Sequence, residues 1–252
     1  MNKTDVMPKL AVVIPAYNEE ARIVPTLNRV NEYLKQQDYT WQVMVVSDGS
    51  NDNTDSLVAE FVEGHAGFSL ETYGKNRGKG FAVRHGMLHA KADLILFSDA
   101  DLAAPIEEIE KLLPMMTTFP IAIGSRPLKE SQLEIHQPWY REALGRLSNV
   151  LIQAMAVRGI QDTQCGFKLF TREVSQDVFS RCKLNGFSFD FEALMIAQDL
   201  GYRVAEVPIR WMHQEGSKVV IWRDAPKALF DLVKLRFMGK VRRTAVNLDE
   251  SS

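Results

Sequence analysis

The chain has 252 residues, 46% of them hydrophobic and 25% charged, enough to bury the core of one large α/β domain or two small ones. Thirty basic residues against 32 acidic ones leave a net charge of -2, which excludes a global bias toward nucleic acid, so any anion recognition is local. Two cysteines, Cys165 and Cys182, exclude a disulfide framework and point to a reducing compartment; no apolar run approaches the ~20 residues that span a bilayer, and Met1 to Lys9 lacks a signal-peptide core, so a soluble or peripheral cytoplasmic protein is expected.

The first elements alternate. Leu10 to Ile14 is a short β-branched run stopped by Pro15, and reads as a buried strand. Ile23, Leu27, Val30 and Leu34 recur at helical spacing within residues 20–37. Val43 to Val46 predicts a second strand, ending in the turn-forming Ser47-Asp48-Gly49-Ser50. Asn51 to Thr54 offers caps for a helix carrying Leu57, Val58 and Phe61. Phe68 to Tyr73 is a weaker strand, Phe81 to Ala90 a helix and Leu94 to Phe97 a fourth strand. This alternation predicts a parallel sheet with right-handed crossovers, in which ligands bind beyond the carboxyl ends of the strands. Asp48 and Asp99 both fall at that edge, so they are expected to share one site.

The second half is less regular. Ile121 to Ile123 is a short strand before Gly124-Ser125-Arg126. Residues 139–157 predict a helix with Leu144, Leu147, Leu151 and Met155 on one face. Val204 to Arg210 is a strand whose internal Pro208 assigns it to a sheet edge. Ala225 to Phe237 is an amphipathic helix rich in Lys and Arg. No repeat or linker interrupts the chain. The expected organisation is a single domain over residues 1–238, with a first half over 10–120 and a second over 121–238, followed by a polar tail over 239–252.

Asp99-Ala100-Asp101 lies just past the fourth strand. Mg²⁺ and Mn²⁺ prefer oxygen ligands and take one or two carboxylates plus substrate phosphates, so the pair can hold a divalent cation and through it a diphosphate. The competing reading is a solvated turn capped by Asp101. Asp48 is likewise either turn chemistry or a carboxylate that accepts hydrogen bonds from a nucleobase. Gly74-Lys75-Asn76-Arg77-Gly78-Lys79-Gly80 is not a Walker loop, because its glycine spacing is one short and Gly80 replaces Ser or Thr. Lys79 can still reach a phosphate or a base, and a flexible loop is the alternative.

Val13-Ile14-Pro15-Ala16-Tyr17-Asn18-Glu19, Val46-Ser47-Asp48-Gly49-Ser50, Asn76-Arg77-Gly78-Lys79-Gly80 and Ser98-Asp99-Ala100-Asp101 stand in an order and spacing that resemble the family 2 glycosyltransferases. The resemblance implies a GT-A fold: an α/β architecture with a mostly parallel central sheet flanked by helices. It implies that Pro15, Ala16, Tyr17, Glu19, Asp48, Lys79, Asp99, Ala100 and Asp101 contact a nucleotide sugar. Mg²⁺ or Mn²⁺ would sit at Asp99 and Asp101, with Asp101 the direct ligand. Many members carry Asp where this chain has Ser47; Asp48 is retained.

Gly124-Ser125-Arg126, Asp162 to Phe170, Phe187 to Glu192 and Gly216-Ser217-Lys218 look like the dolichyl-phosphate glucosyltransferases and related polyprenyl-phosphate hexosyltransferases, which transfer hexose from UDP-glucose or GDP-mannose with inversion. A phosphate monoester is largely ionised at neutral pH, so as an acceptor it needs placement and counter-charge rather than a strong base. Arg126, Arg141, Arg146 and Lys168 are candidate cations, with Arg126, Arg141 and Arg146 assigned to the acceptor phosphate. The resemblance places Asp162 near the acceptor, as a base, a positioning group or a turn cap. Asp190 and Glu192 alternate and would face opposite sides of an extended segment. Ser217 and Lys218 resemble lid residues over the donor diphosphate, although Met212 and His213 stand where some relatives carry Arg. Cys165, beside Gly166, reads as a small packed residue.

The expected partners are UDP-glucose or GDP-mannose, a polyprenyl phosphate, the cytoplasmic membrane surface and a membrane protein, with no nucleic acid. Lys227, Lys234, Arg236, Lys240, Arg242 and Arg243 surround an apolar stripe that can lie on an anionic surface or pack on the domain. Trp139 and Tyr140 also suit an interface. The rival readings are a family 2 enzyme with a soluble hydroxyl acceptor, a sugar nucleotidyltransferase, and a non-catalytic nucleotide-sugar or lipid-binding protein.

Overall fold

The computed structural model describes residues 7–128, 131–133, 157–212 and 230–235. Nine strands are described: β1 Leu10–Ala16, β2 Trp41–Ser47, β3 Phe68–Thr72, β4 Leu94–Ser98, β5 Ile121–Ser125, β6 Gln132–Leu133, β7 Phe167–Thr171, β8 Val204–Pro208 and β9 Arg210–Trp211. Seven of them form one sheet in the order β3-β2-β1-β4-β7-β5-β8, and β6 pairs with β9 separately. The helices are α1 Ile23–Leu34, α2 Thr54–Gly64, α3 Lys79–His89, α4 Ile109–Leu112, α5 Arg172–Phe179 and α6 Phe189–Asp199. Residues 230–235 are helical as well.

The sheet is covered on both faces, which is why its central strands are continuous apolar runs rather than alternating ones. Leu10, Val12 and Ile14 of β1 pack with Leu27 of α1 and Val58 of α2. Ala11 and Val13, pointing the other way, pack with Ala82 and Val83 of α3 and with Leu194 of α6. Parallel pairing of β2 with β1, of β1 with β4 and of β3 with β2 brings their carboxyl ends to one edge. Ser47-Asp48 and Ser98-Asp99 therefore leave the sheet side by side.

Two expectations need correction. Pro15 does not stop β1, which continues to Ala16 opposite Ser47. Ala16 O accepts Asp48 N from the β2 side, so Pro15 faces β4, where the ladder has already ended at Val13 opposite Phe97. The missing N–H of Pro15 thus costs no sheet bond. Second, Phe189–Asp199 is helical, not extended, so Asp190 and Glu192 lie on its first turn. The sheet is mostly parallel, as expected, with β7 running antiparallel between β4 and β5. The edge position expected from Pro208 is observed, because β8 is the last strand of the sheet. The helix expected over 139–157 lies outside the described residues apart from Val157, as does most of 225–237. Among the described residues no helix is long and apolar enough to cross a membrane.

Candidate active site

Asp48 lies just past the end of β2. Its side chain is almost fully buried, and its carboxylate accepts Tyr73 Oη at 2.7 Å, Arg77 N at 2.8 Å and Gly78 N at 2.8 Å. These bonds pin the 74–78 loop, so it is not free-standing. Gly78 has φ of +101°, a conformation that L side chains rarely adopt, and a Cβ there would also overlap Asn185 O. The loop is thereby delivered to the start of α3 with Lys79 aimed at the sheet edge. Lys79 Nζ lies 2.6 Å from Asp99 Oδ1. Burial alone would lower this ammonium, but Asp99, Asp190 and Asp101 hold it above the ordinary lysine value.

Asp99 and Asp101 flank a tight turn after β4. Asp99 N donates to Gly166 O at 3.1 Å, and Ala100 O accepts Thr26 Oγ1 at 2.7 Å, which ties the turn to α1. Asp101 Oδ1 accepts Ala103 N at 3.0 Å, so it does cap its own turn. Burial and then Asp99 push the Asp101 carboxyl up. Two hard-oxygen groups crowding their negative charge are a donor set that suits a divalent cation. Among the described residues no cluster of three or more His, Cys, Asp or Glu could hold a metal. Pro15 and Ala16 are buried at the end of β1, Glu19 N donates to Thr54 Oγ1 at 2.8 Å and Glu19 pairs with Arg22 at 2.8 Å. Tyr17 Oη accepts Asn51 Nδ2 at 3.4 Å.

In the second half of the chain the cations come with partners. Arg126 follows β5, and its Nε and Nη2 donate to Asp162 Oδ2 and Oδ1 at 2.6 and 2.7 Å, while Arg126 N donates to Oδ2 at 3.0 Å. Burial would raise the Asp162 carboxyl, but the Arg126 guanidinium and these bonds hold it below the usual carboxylate range. The guanidinium also sits over the Trp211 ring, 4.8 Å from its centroid. Lys168, facing Phe97 and Ile123 from β7, pairs with Asp190 at 2.5 Å and also donates to Cys165 O. Asp190 is pushed up by burial, against the pull of Lys168 and Lys79. It also acts on Arg126, so the two halves share one field. Glu192, on the same turn, instead accepts Lys183 N and Leu184 N at 2.9 and 2.8 Å. Burial, then Asp162, pushes the Cys165 thiol up to about 12, which rules it out as a nucleophile near neutral pH.

The structure thus brings Lys79, Asp99, Asp101, Arg126, Asp162, Lys168 and Asp190 to one region, with Asp48 behind the loop. Arg141, Arg146, Ser217 and Lys218 lie outside the described residues. Sequence reasoning missed Tyr73, which carries no motif. It also missed Gly166, where a Cβ would overlap the Asp99 carboxylate. Trp211 and Glu206 were missed too; an acidic residue inside the apolar run Val204 to Pro208 was the available signal for Glu206.

Residues 11–179 match the model of the glycosyl transferase family 2. Over 234 residues the chain is 41% identical to the dolichyl-phosphate beta-glucosyltransferase ALG5C of Trichomonas vaginalis, covering 88% of this chain and 69% of the relative. It is 35% identical over 247 residues to the human dolichyl-phosphate beta-glucosyltransferase, covering 91% and 76%. In fold it resembles the glucosyl-3-phosphoglycerate synthase of Mycobacterium tuberculosis, with a TM-score of 0.65 at 17% identity over 91% of this chain and 80% of that one. The mostly parallel sheet flanked by helices is the GT-A fold. A sheet edge carrying paired aspartates after β4, ordered motifs through α5 and relatives that align along most of the chain together make this protein a member of glycosyl transferase family 2.

Proposed function

We propose that the protein transfers glucose from UDP-glucose to a polyprenyl phosphate of the dolichyl type, with inversion at the anomeric carbon. The observation that carries the choice of acceptor is the Asp162–Arg126 pair. Both Asp162 oxygens are spent on Arg126, and Asp190 is spent on Lys168. An alcohol acceptor would need a carboxylate able to take its proton. A phosphate monoester arrives ionised and needs cations held in place instead. Arg126 supplies a planar fork suited to such an oxyanion, and Asp162 fixes its orientation. The similarity to dolichyl-phosphate beta-glucosyltransferases supports glucose and dolichyl phosphate.

The chain's own residues then have separate tasks. Asp101 and Asp99 would hold a divalent cation, Mg²⁺ or Mn²⁺. When bound, the cation supplies counter-charge to the leaving diphosphate. Lys79, held at the same edge beside Asp99, is placed to balance the donor phosphates. Arg126 and Lys168 offset repulsion between the incoming phosphate and the diphosphate. A phosphate oxygen forms the new bond to the anomeric carbon as the bond to the diphosphate oxygen breaks, and no proton has to move. The test is a panel of radiolabelled nucleotide sugars with polyprenyl phosphate, with and without chelator. Lipid-linked glucose formed only with UDP-glucose and metal is expected. No lipid-linked product from any donor overturns the acceptor, and metal-independent product overturns the role of Asp101.

A further inference from the structure

Glu206 lies in the edge strand β8, between Ala205 and Val207, which are both buried in the core. Its carboxylate reaches two other segments at once. Oε1 accepts Ser125 Oγ at 2.7 Å, Asp162 N at 2.7 Å and Gln161 N at 3.0 Å, and Oε2 accepts Gln161 N at 2.9 Å. Ser125 is the last residue of β5 and immediately precedes Arg126. Gln161 and Asp162 belong to the turn that supplies the partner of Arg126. One carboxylate therefore ties together the backbone that launches the guanidinium and the backbone that launches its counter-ion. Ser125 and Asp162 are both fully buried, so water is not at hand to replace these bonds.

We propose that Glu206 is a positioning residue for glycosyl transfer, setting the place of Arg126 without touching substrate. This rests on the reading of Arg126 as the acceptor-phosphate cation. Hydrogen bonds to a carboxylate are charge-assisted, and three donors converging on one group define its place closely. A glutamine at 206 keeps the shape, but with its oxygen in the place of Oε1 it sets an NH₂ donor against Gln161 N, and with the amide turned over Asp162 N loses its acceptor. The turn then drifts, and Arg126 drifts with Asp162. Displacements of this kind, made away from the reacting atoms, act on the transfer step rather than on donor binding.

The test uses the full chain as parent, Glu206→Gln, Glu206→Asp and, as a packing control on the same strand, Val207→Ala. Three quantities are measured: UDP affinity with Mn²⁺, kinetics with polyprenyl phosphate, and the NMR resonance of the Arg126 Nε–H, assigned by its loss in Arg126→Lys. For Glu206→Gln, unchanged UDP affinity, a loss of about 10- to 100-fold in kcat/KM for polyprenyl phosphate and a shifted or broadened Nε–H are expected. Glu206→Asp, which keeps the charge, recovers part of both. Val207→Ala lowers stability and leaves the resonance in place. An unmoved Arg126 resonance in Glu206→Gln, or a loss that Val207→Ala reproduces at equal stability, overturns the proposal. If Glu206→Gln does not fold, Glu206→Asp is read against Val207→Ala by the same criteria. A parent that makes no lipid-linked product overturns the acceptor reading instead, and the resonance still decides whether Glu206 positions Arg126.

Discussion

Asp162 is fully buried, yet it is charged, and the reason is the guanidinium that meets both its oxygens. Its folded carboxyl is held below the ordinary value, so in the acid range the unfolded chain binds the extra proton. The stability this supplies is complete above the unfolded aspartate value of about 3.9 and is lost as pH falls through the lower folded value. Asp162→Asn should therefore flatten the acid limb of stability. It should also cost about 3 kcal/mol or more at neutral pH, because Arg126 keeps its charge and loses its partner. Urea midpoints measured across the acid range check this; parallel curves for parent and variant would mean that the pair does not form in solution. Three aspartates of the site were visible as residues in the sequence, but their pairing was not. Asp99 with Lys79, Asp162 with Arg126 and Asp190 with Lys168 are contacts separated by 20 or more residues, and no local pattern encodes them.

Elements position these groups through close approach. Helix α3 lies directly on β1 at Gly86, where a Cβ would overlap Val13 Cγ1 and meet Val46 Cγ2 at 3.0 Å. The N-terminus of α3 carries Lys79, so the depth of the helix sets the reach of the ammonium toward Asp99. Gly86→Ala should destabilise the fold by roughly 1–3 kcal/mol through overpacking, and should also weaken UDP binding in the presence of Mn²⁺. Calorimetric unfolding together with a nucleotide titration checks both, and a variant as stable as the parent would show that the helix has room to rise. Strands β1, β2 and β4 were legible because two-faced burial writes itself as apolar runs, while β3 at the sheet edge left a weaker signal. The antiparallel β7 was not. Its Phe167-Lys168-Leu169-Phe170 includes a buried lysine that spoils the apolar signature and is tolerated only because Asp190 meets it. The helical start at Phe189 was likewise hidden, since Asp190 and Glu192 suit a first helical turn and an alternating strand equally well on paper.

At the scale of the molecule, β4 and β7 join the two ends of the site, and the alternating charges cross that seam. Four site aspartates, Asp99, Asp101, Asp162 and Asp190, face three cations, Lys79, Arg126 and Lys168. The arrangement has an acid to spare, and a divalent cation brought with a nucleotide diphosphate would balance it. UDP and Mn²⁺ together, at about 100 times the dissociation constant, should raise the melting temperature by roughly 5–10 °C. UDP with chelator should give no shift. Thermal unfolding with and without each component checks this, and an equal shift from UDP alone would remove the cation from the donor site.

The sequence by itself determined the fold of the first half of the chain. Its strands, the edge at which Asp48 and Asp99 emerge, the paired aspartates and the family all follow from local periodicity and ordered motifs, which act over a few residues at a time. Only the tertiary structure decided what the charged side chains do. Asp48 holds the 74–78 loop, Asp162 orients Arg126 and Glu206 ties the turn at Gln161 to the end of β5. Each of these depends on which distant donor arrives within 3 Å of a buried carboxylate, and that is fixed by the packing of the sheet and helices rather than by any spacing along the chain.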